Sequence, residues 1–228
     1  MSLPVVPVLA IDGPSGSGKG TVSRRVADAL GWHLLDSGAL YRLTALAGAR
    51  AGLGQDDREG HAAAAAAMQV RFGMDEAGNE RVWLDGEVVT DAIRTESAGE
   101  AASRVAAWPE VRTALVERQR RFAEPPGLVA DGRDMGSVIF PSAGLKVFLT
   151  ATPEERARRR YNQLKDKGLS VNLAALSLEI AERDRRDATR EVAPLRPFGD
   201  SVILDSTQVG INEVVARVLA LARERFPA

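Results

Sequence analysis

Apolar positions follow two rhythms along the 228 residues. Val5, Val6, Val8, Leu9 and Ile11 form a short run that reads as a buried strand, and Val22, Val26, Ala29 and Leu30 then recur at helical spacing. The alternation returns in the second half. Strands are predicted at Leu128 to Ala130, Leu145 to Leu149 and Val202 to Leu204, and helices over about Pro153 to Lys167, Leu173 to Thr189 and Ile211 to Arg225. Strand and helix in turn predict an α/β fold with a parallel sheet. The middle departs from this rhythm. After the helical run HAAAAAA, the segment MQVRFGMDEAGNERVWLDGEVV alternates apolar and polar positions around Asp85-Gly86, which predicts a small antiparallel unit with a tight hairpin. Helices at about Ser97 to Ala107 and Pro109 to Ala123 then lead back, so residues 41–110 read as an insertion between core segments 1–40 and 111–228.

The first strand runs into IDGPSGSGKGT, Ile11 to Thr21. Strand, glycine-rich loop and helix are the context of a phosphate-binding P-loop. Gly13, Gly16 and Gly18 let the backbone bend with its N–H groups inward, and Pro14, Ser15 and Ser17 complete the loop. Lys19 adds a point charge at the positive end of the helix dipole. Gly20 stands directly after the lysine, where such loops usually carry Ser or Thr, and Thr21 follows. A magnesium ion is therefore expected to reach this loop through water, with Thr21 and Asp131 as candidates. The GKGT ending resembles the nucleoside monophosphate kinases more than the GTPases.

Four further stretches carry charge or caps. In DSGALYR, Ser37 reads either as a helix cap or, with Arg42, as an anion holder. DGRDMG follows the strand at Leu128 to Ala130, so Asp131, Arg133 and Asp134 are expected in the crevice beyond the strand ends, though Asp-Gly is also common turn chemistry. Along LAALSLEIAERDRRDATR, at about 100° per residue, Leu173, Leu176 and Ile180 form an apolar stripe. Arg183, Asp184 and Asp187 continue it, with Arg190 near its edge. Either this half of the helix faces a polar cleft, or it is exposed and laced by pairs such as Arg183–Asp187. ERARRRYNQLKDKG crowds Arg156, Arg158, Arg159 and Arg160 into one helical turn. A bound polyphosphate would relieve their repulsion, as in a lid closing over ATP; a solvated face is the alternative.

Composition narrows the chemistry. The chain is 45% hydrophobic and 27% charged, as in ordinary globular proteins. It has no cysteine, which excludes disulfides, thiolate metal sites and cysteine nucleophiles, and His33 and His61 alone make histidine chemistry unexpected. The N-terminal apolar run is short, holds two prolines and lacks a basic leader, so neither a signal peptide nor a membrane span is expected, and the cytoplasm is the expected compartment. A net charge of −1 gives no global attraction for nucleic acid. Lysine occurs only at 19, 146, 165 and 167, so arginine supplies most of the 30 basic residues. No exposed apolar stripe demands a partner, and a monomer is expected.

With these motifs in order, together with AASRVAAWPEVR, the chain resembles the bacterial cytidylate kinases over nearly its whole length. The resemblance implies a P-loop three-layer α/β fold with a central parallel sheet. It also implies an inserted monophosphate-binding domain with a small antiparallel sheet, and a short lid at about 156–172. It implies ATP-dependent phosphorylation of CMP and dCMP to the diphosphates, with Mg2+, and no nucleic-acid or membrane partner. Position by position, the loop Gly13 to Thr21 would bind ATP, joined by Arg159 and Arg160 from the lid. Arg42, Arg133 and Arg190 would hold the acceptor phosphate or the group in transit. Ser103, Arg112 and Asp134 would read cytosine, Arg183 and Asp187 would reach the sugar, and Ser37 would lie beside the monophosphate. Lys19, Arg133, Arg159 and Arg190 are the implied catalytic groups. The chemistry agrees: a phosphate oxygen is already an anionic nucleophile, so fixed cations are needed and a general base is not. Two other classes remain open to the residues alone. A P-loop kinase of a metabolite hydroxyl would use Asp36 or Asp131 as base, and a non-catalytic nucleotide switch would bind without turnover.

Overall fold

A computed structural model describes residues 6–166, 168 and 170–227. Val5 of the expected first strand lies outside them. So do Lys167, at the expected end of one helix, and Leu169, within the expected lid. In chain order the elements are β1 (Val8–Asp12), α1 (Lys19–Leu30), β2 (His33–Asp36), α2 (Ser37–Arg50), α3 (Arg58–Ala67), β3 (Val70–Met74), β4 (Glu80–Leu84) and β5 (Glu87–Val88). A short 3-10 turn, Ala92–Arg94, precedes α4 (Glu96–Val105) and α5 (Pro109–Arg120). Then come β6 (Leu128–Gly132), a π-helical turn at Met135–Ile139, β7 (Leu145–Thr150), α6 (Pro153–Asp166), α7 (Leu173–Ala188), β8 (Val202–Asp205) and α8 (Ile211–Arg225). Contacts divide the chain into two compact units, one ending at Asp36 and resuming at Gln119, the other Ser37–Arg118.

The first unit holds a five-stranded parallel sheet in the order β2-β6-β1-β7-β8. Leu9, Ile11, Val129, Leu145, Val147 and Leu149 from the sheet pack with Val22 and Val26 of α1 and Val214 and Val218 of α8 into one core. Burying that apolar area drives the assembly. Across the strands, Ile11 pairs with Asp131, Asp12 with Gly132, and Asp36 with Asp131. Parallel strands in this register carry three acidic residues to the same end of the sheet.

The second unit contains the antiparallel sheet β3-β4-β5. Asp85 and Gly86 turn between β4 and β5 with φ of 51° and 88°, both positive, as a two-residue hairpin requires. The alanine run is the helix α3, opened by Asp57, whose carboxylate accepts from Gly60 N–H at 2.8 Å. Among the described residues no helix is long and apolar enough to cross a membrane.

Two expectations change here. The strand expected at Leu128 to Ala130 continues through Gly132, because β1 and β2 pair with it to that point. Asp131 is therefore a buried strand residue and not a turn residue. On α7, Leu173 is 45% exposed, while Leu176 and Ile180 are buried. Leu173 is the first residue of the helix, capped by Asn172 through Ala174 and Ala175 N–H, and the packed face begins one turn later.

Candidate active site

The loop between β1 and α1 is shaped by what surrounds it. Gly13 lies so close to β7 that a Cβ there would fall 2.0 Å from the Leu149 carbonyl oxygen, so only glycine fits. Gly18 caps α1 with φ of 90° and no side-chain hydrogen bond to the helix start. The Lys19 ammonium donates to the Pro14 carbonyl at 3.1 Å and is buried. Ser17 is 1% exposed and its hydroxyl has no hydrogen-bond partner, an orphaned polar atom within the loop. Other side chains take the loop's carbonyls: Arg156 donates to Ser15 O at 3.0 Å, while Arg159 and the Ser206 hydroxyl donate to Ser17 O at 3.3 and 3.2 Å.

Charges gather around Lys19. Burial pushes Asp131 up to about 7, against the pull of Lys19, with Asp36 and Asp12 adding repulsion. Burial likewise pushes Lys19 down to about 7, helped by Arg133 and opposed by Asp131. The Asp131 carboxylate reaches the start of α1, where Oδ2 lies 3.4 Å from the place a Gly20 Cβ would take. Thr21 beside it is exposed. The third acid, Asp12, accepts from the backbone N–H groups of Met135 and Gly136 at 2.8 and 2.9 Å. Desolvation nevertheless lifts it to about 6, the two hydrogen bonds opposing.

Asp187 is the hub of the arginines. It is 1% exposed, accepts from Arg133 Nε at 3.0 Å, and bonds Arg190 through its other oxygen. Burial alone would raise its carboxyl, but Arg133, Arg190 and Arg183 together hold it below the ordinary range. The exposed helix with an Arg183–Asp187 surface pair is thus excluded, since Asp187 turns inward to Arg133 across 54 residues of chain. Asp134 is 2% exposed at the head of the π-helical turn.

The arginine-rich turn of α6 departs from expectation at Arg156. Repulsion within the turn is offset by acids of the chain itself. Arg156 is 3% exposed and pairs with Asp184, while Arg158 and Arg159 share Glu155 at 2.8 Å each. Arg159 also donates to Ser206 Oγ and O, and Arg160 donates to Gln163. Arg156 is accordingly an internal brace and not a lid surface.

The second unit collects the other expected residues. Arg42 donates through Nη1 to the carbonyls of Ile93 and Thr95, at 2.8 and 3.1 Å, and its guanidinium fills the space that a side chain at Gly99 would need. Ser37 and Ser103 are both 3% exposed, and the Ser103 hydroxyl has no hydrogen-bond partner. Arg112 is 5% exposed, donates to Ala106 O at 3.1 Å, and lies 5.9 Å from the Tyr41 ring centre.

Asp12, Asp184 and Ser206 are the residues around this machinery to which sequence reasoning gave no site role. The signal for Asp12 was present: a carboxylate closes an otherwise apolar strand immediately before the loop. Asp184 and Ser206 gain their meaning only from partners far along the chain.

The family model described as cytidylate kinase matches residues 9–224. The cytidylate kinase of Marinomonas sp. is 55% identical over 214 residues, covering 94% of each chain. That of Pseudomonas paraeruginosa is 57% identical over 215 residues, again 94% of each. Among solved structures, an uncharacterized protein from Eubacterium ventriosum shares the fold at a TM-score of 0.51 and 10% identity, covering 96% of this chain and 99% of that one.

Proposed function

The chain belongs to the cytidylate kinase family, and on that premise we propose that it passes the γ-phosphoryl group of ATP to CMP and dCMP, releasing ADP with CDP and dCDP. The observation that carries the reading is the Arg133–Asp187–Arg190 cluster held in the same unit as a buried P-loop lysine. Transfer between two phosphates is opposed chiefly by charge repulsion, and fixed, preorganised cations are what lowers that barrier.

The loop Gly13 to Thr21 holds the ATP phosphates, with Lys19 on the group that moves. Arg133 and Arg190 are aimed by Asp187 at the transferring group and at the acceptor phosphate, which Arg42 also holds. Because one carboxylate fixes both guanidinia, they meet the transition state already oriented. Asp134 accepts from the cytosine amino group and opposes the uracil carbonyl. For the second unit, the family resemblance implies that Ser103 and Arg112 read cytosine and that Ser37 serves the monophosphate. Arg183 and Asp187 reach the sugar, and Arg159 and Arg160 close over ATP from a lid at about 156–172, in which Arg156 is the fixed brace and not a closing residue. The core segments 1–40 and 111–228 with the insertion 41–110 are the working parts of this reading.

Mg2+, held through water by Asp131 and Thr21, would supply positive charge that offsets the charge of the phosphates. The donor set fits such an ion: one carboxylate, Asp131, and one exposed hydroxyl, Thr21, near the end of the loop. An ion of this kind keeps several waters and binds mainly to the phosphates. The reading carries with it a cytoplasmic enzyme working as a monomer.

The test is ADP release with MgATP, offering CMP, dCMP, UMP, AMP, GMP and hydroxyl metabolites separately. Strong turnover with CMP and dCMP and weak turnover with UMP are expected. Turnover with a hydroxyl metabolite alone would make the enzyme a different P-loop kinase. ATP binding without acceptor-dependent release would make the protein a nucleotide switch.

A further inference from the structure

The turn that presents Asp134 is held from behind by a residue of the P-loop strand. Asp12 ends β1 and pairs in register with Gly132, two residues before Asp134. From there its two carboxylate oxygens take one backbone N–H each: Oδ1 from Met135 at 2.8 Å and Oδ2 from Gly136 at 2.9 Å. These are the first two residues of the π-helical turn Met135–Ile139, whose leading flank is Asp134 itself. The Asp134 carbonyl accepts from Val138 and Ile139 N–H, so the same residue is locked into the turn on its downstream side.

Packing removes the alternatives to this position. Met135 is fully buried and lies against Gly132, where a Cβ would come within 2.7 Å of its side chain. Gly136 rests on the stem of Lys146, 3.1 Å from a Cβ built there. Arg120 Nε holds the far end through the Ile139 carbonyl at 3.1 Å. The peptide that joins Asp134 to Met135 is thus held on both sides, its N–H by the Asp12 carboxylate and its carbonyl by the Val138 and Ile139 N–H groups. Charge-assisted bonds to backbone N–H groups are the strong kind, and two of them fix an orientation as well as a distance.

We propose that Asp12 is a positioning residue for acceptor choice: by gripping the Met135 and Gly136 N–H groups it sets the place of the Asp134 carboxylate, and so the preference for cytosine over uracil. The inference rests on the reading of Asp134 as the base-discriminating group. It gives the strand that opens the ATP loop a second task, holding the acceptor reader.

Four variants test it, each assayed for kcat and KM with CMP, UMP and ATP and checked by thermal melting. Asp12→Asn keeps one acceptor oxygen but turns an amide donor toward a backbone N–H, so one of the two bonds is lost. It should lower the CMP/UMP ratio of kcat/KM by about tenfold, through a higher KM for CMP, with the KM for ATP within about twofold of the parent. Asp12→Ser, smaller and with one acceptor, takes the same measurement should the Asn variant not fold. Asp134→Asn alone should lower the ratio at least as far, and in Asp12→Asn/Asp134→Asn the ratio should fall no further than in Asp134→Asn, because one residue acts through the other. A folded Asp12 variant with the parent ratio overturns the inference, as does equal loss with CMP and UMP together with a raised KM for ATP. If Asp134→Asn leaves the ratio unchanged, the reading of Asp134 falls and this inference with it. If Asp134→Asn lowers the ratio and Asp12→Asn does not, the inference alone falls.

Discussion

Arg156 and Asp184 face each other as a doubly bonded ion pair, Nη1 to Oδ1 at 3.0 Å and Nη2 to Oδ2 at 2.5 Å. The same guanidinium donates to the carbonyls of Ala151 and Ser15, both at 3.0 Å. One buried side chain therefore ties α6 to α7, to the end of β7 and to the phosphate loop.

Removing it should cost stability in proportion to what it leaves behind. Arg156→Ala strands two carbonyls and a carboxylate that is 27% exposed. The expected loss is about 2–4 kcal/mol, somewhat below that for breaking a fully buried pair because water reaches Asp184. Urea unfolding measures it. A loss within about 0.5 kcal/mol would mean that the pair behaves as a surface bridge.

Asp187→Asn keeps the size of the hub and removes its charge. With Arg133 and Arg190 no longer aimed by a carboxylate, kcat should drop by about a hundredfold or more. The far-ultraviolet dichroism should be unchanged. Activity near the parent level would show that the two arginines find their places without Asp187.

Lys19→Met separates the phosphate-binding task of the loop from its stability. Burial already pushes Lys19 down to about 7, so its charge is held at a cost to folding. The variant should melt no lower than the parent while losing at least about a hundredfold in turnover. Near-parental turnover would remove Lys19 from the mechanism.

Proton bookkeeping around Lys19 gives a prediction independent of rate. Lys19 is pushed down, and Asp131 up, to about 7 by burial. The phosphates of ATP bound without Mg2+ bring negative charge, which raises both groups. At about pH 8, above the free-state value, binding must therefore take up protons. The calorimetric binding enthalpy should then depend on the ionisation enthalpy of the buffer, with the slope signalling uptake. An enthalpy independent of buffer would show that neither group changes protonation.

Much of the fold was legible because its signals are local. Apolar periodicity marked β1, β6, β7 and β8 and the helices beside them, and Asp85-Gly86 marked the hairpin because both positions need positive φ. The P-loop was legible for the same reason: the glycines, Lys19 and the flanking strand and helix are contiguous in sequence. What misled was charge. Arg156 looked like its arginine neighbours, yet Asp184, 28 residues away, draws it inside.

The sequence by itself determined the order of elements, the phosphate cradle and the stock of arginines, with no cysteine and only His33 and His61 beside them. Tertiary structure decided which charges are paired and which way they face. Strand register brings Asp12 level with Gly132 and Asp131 level with Asp36, and helix packing sets Asp187 against Arg133. A buried charge is stable only with a partner, and partners separated by tens of residues leave no periodic trace in the chain.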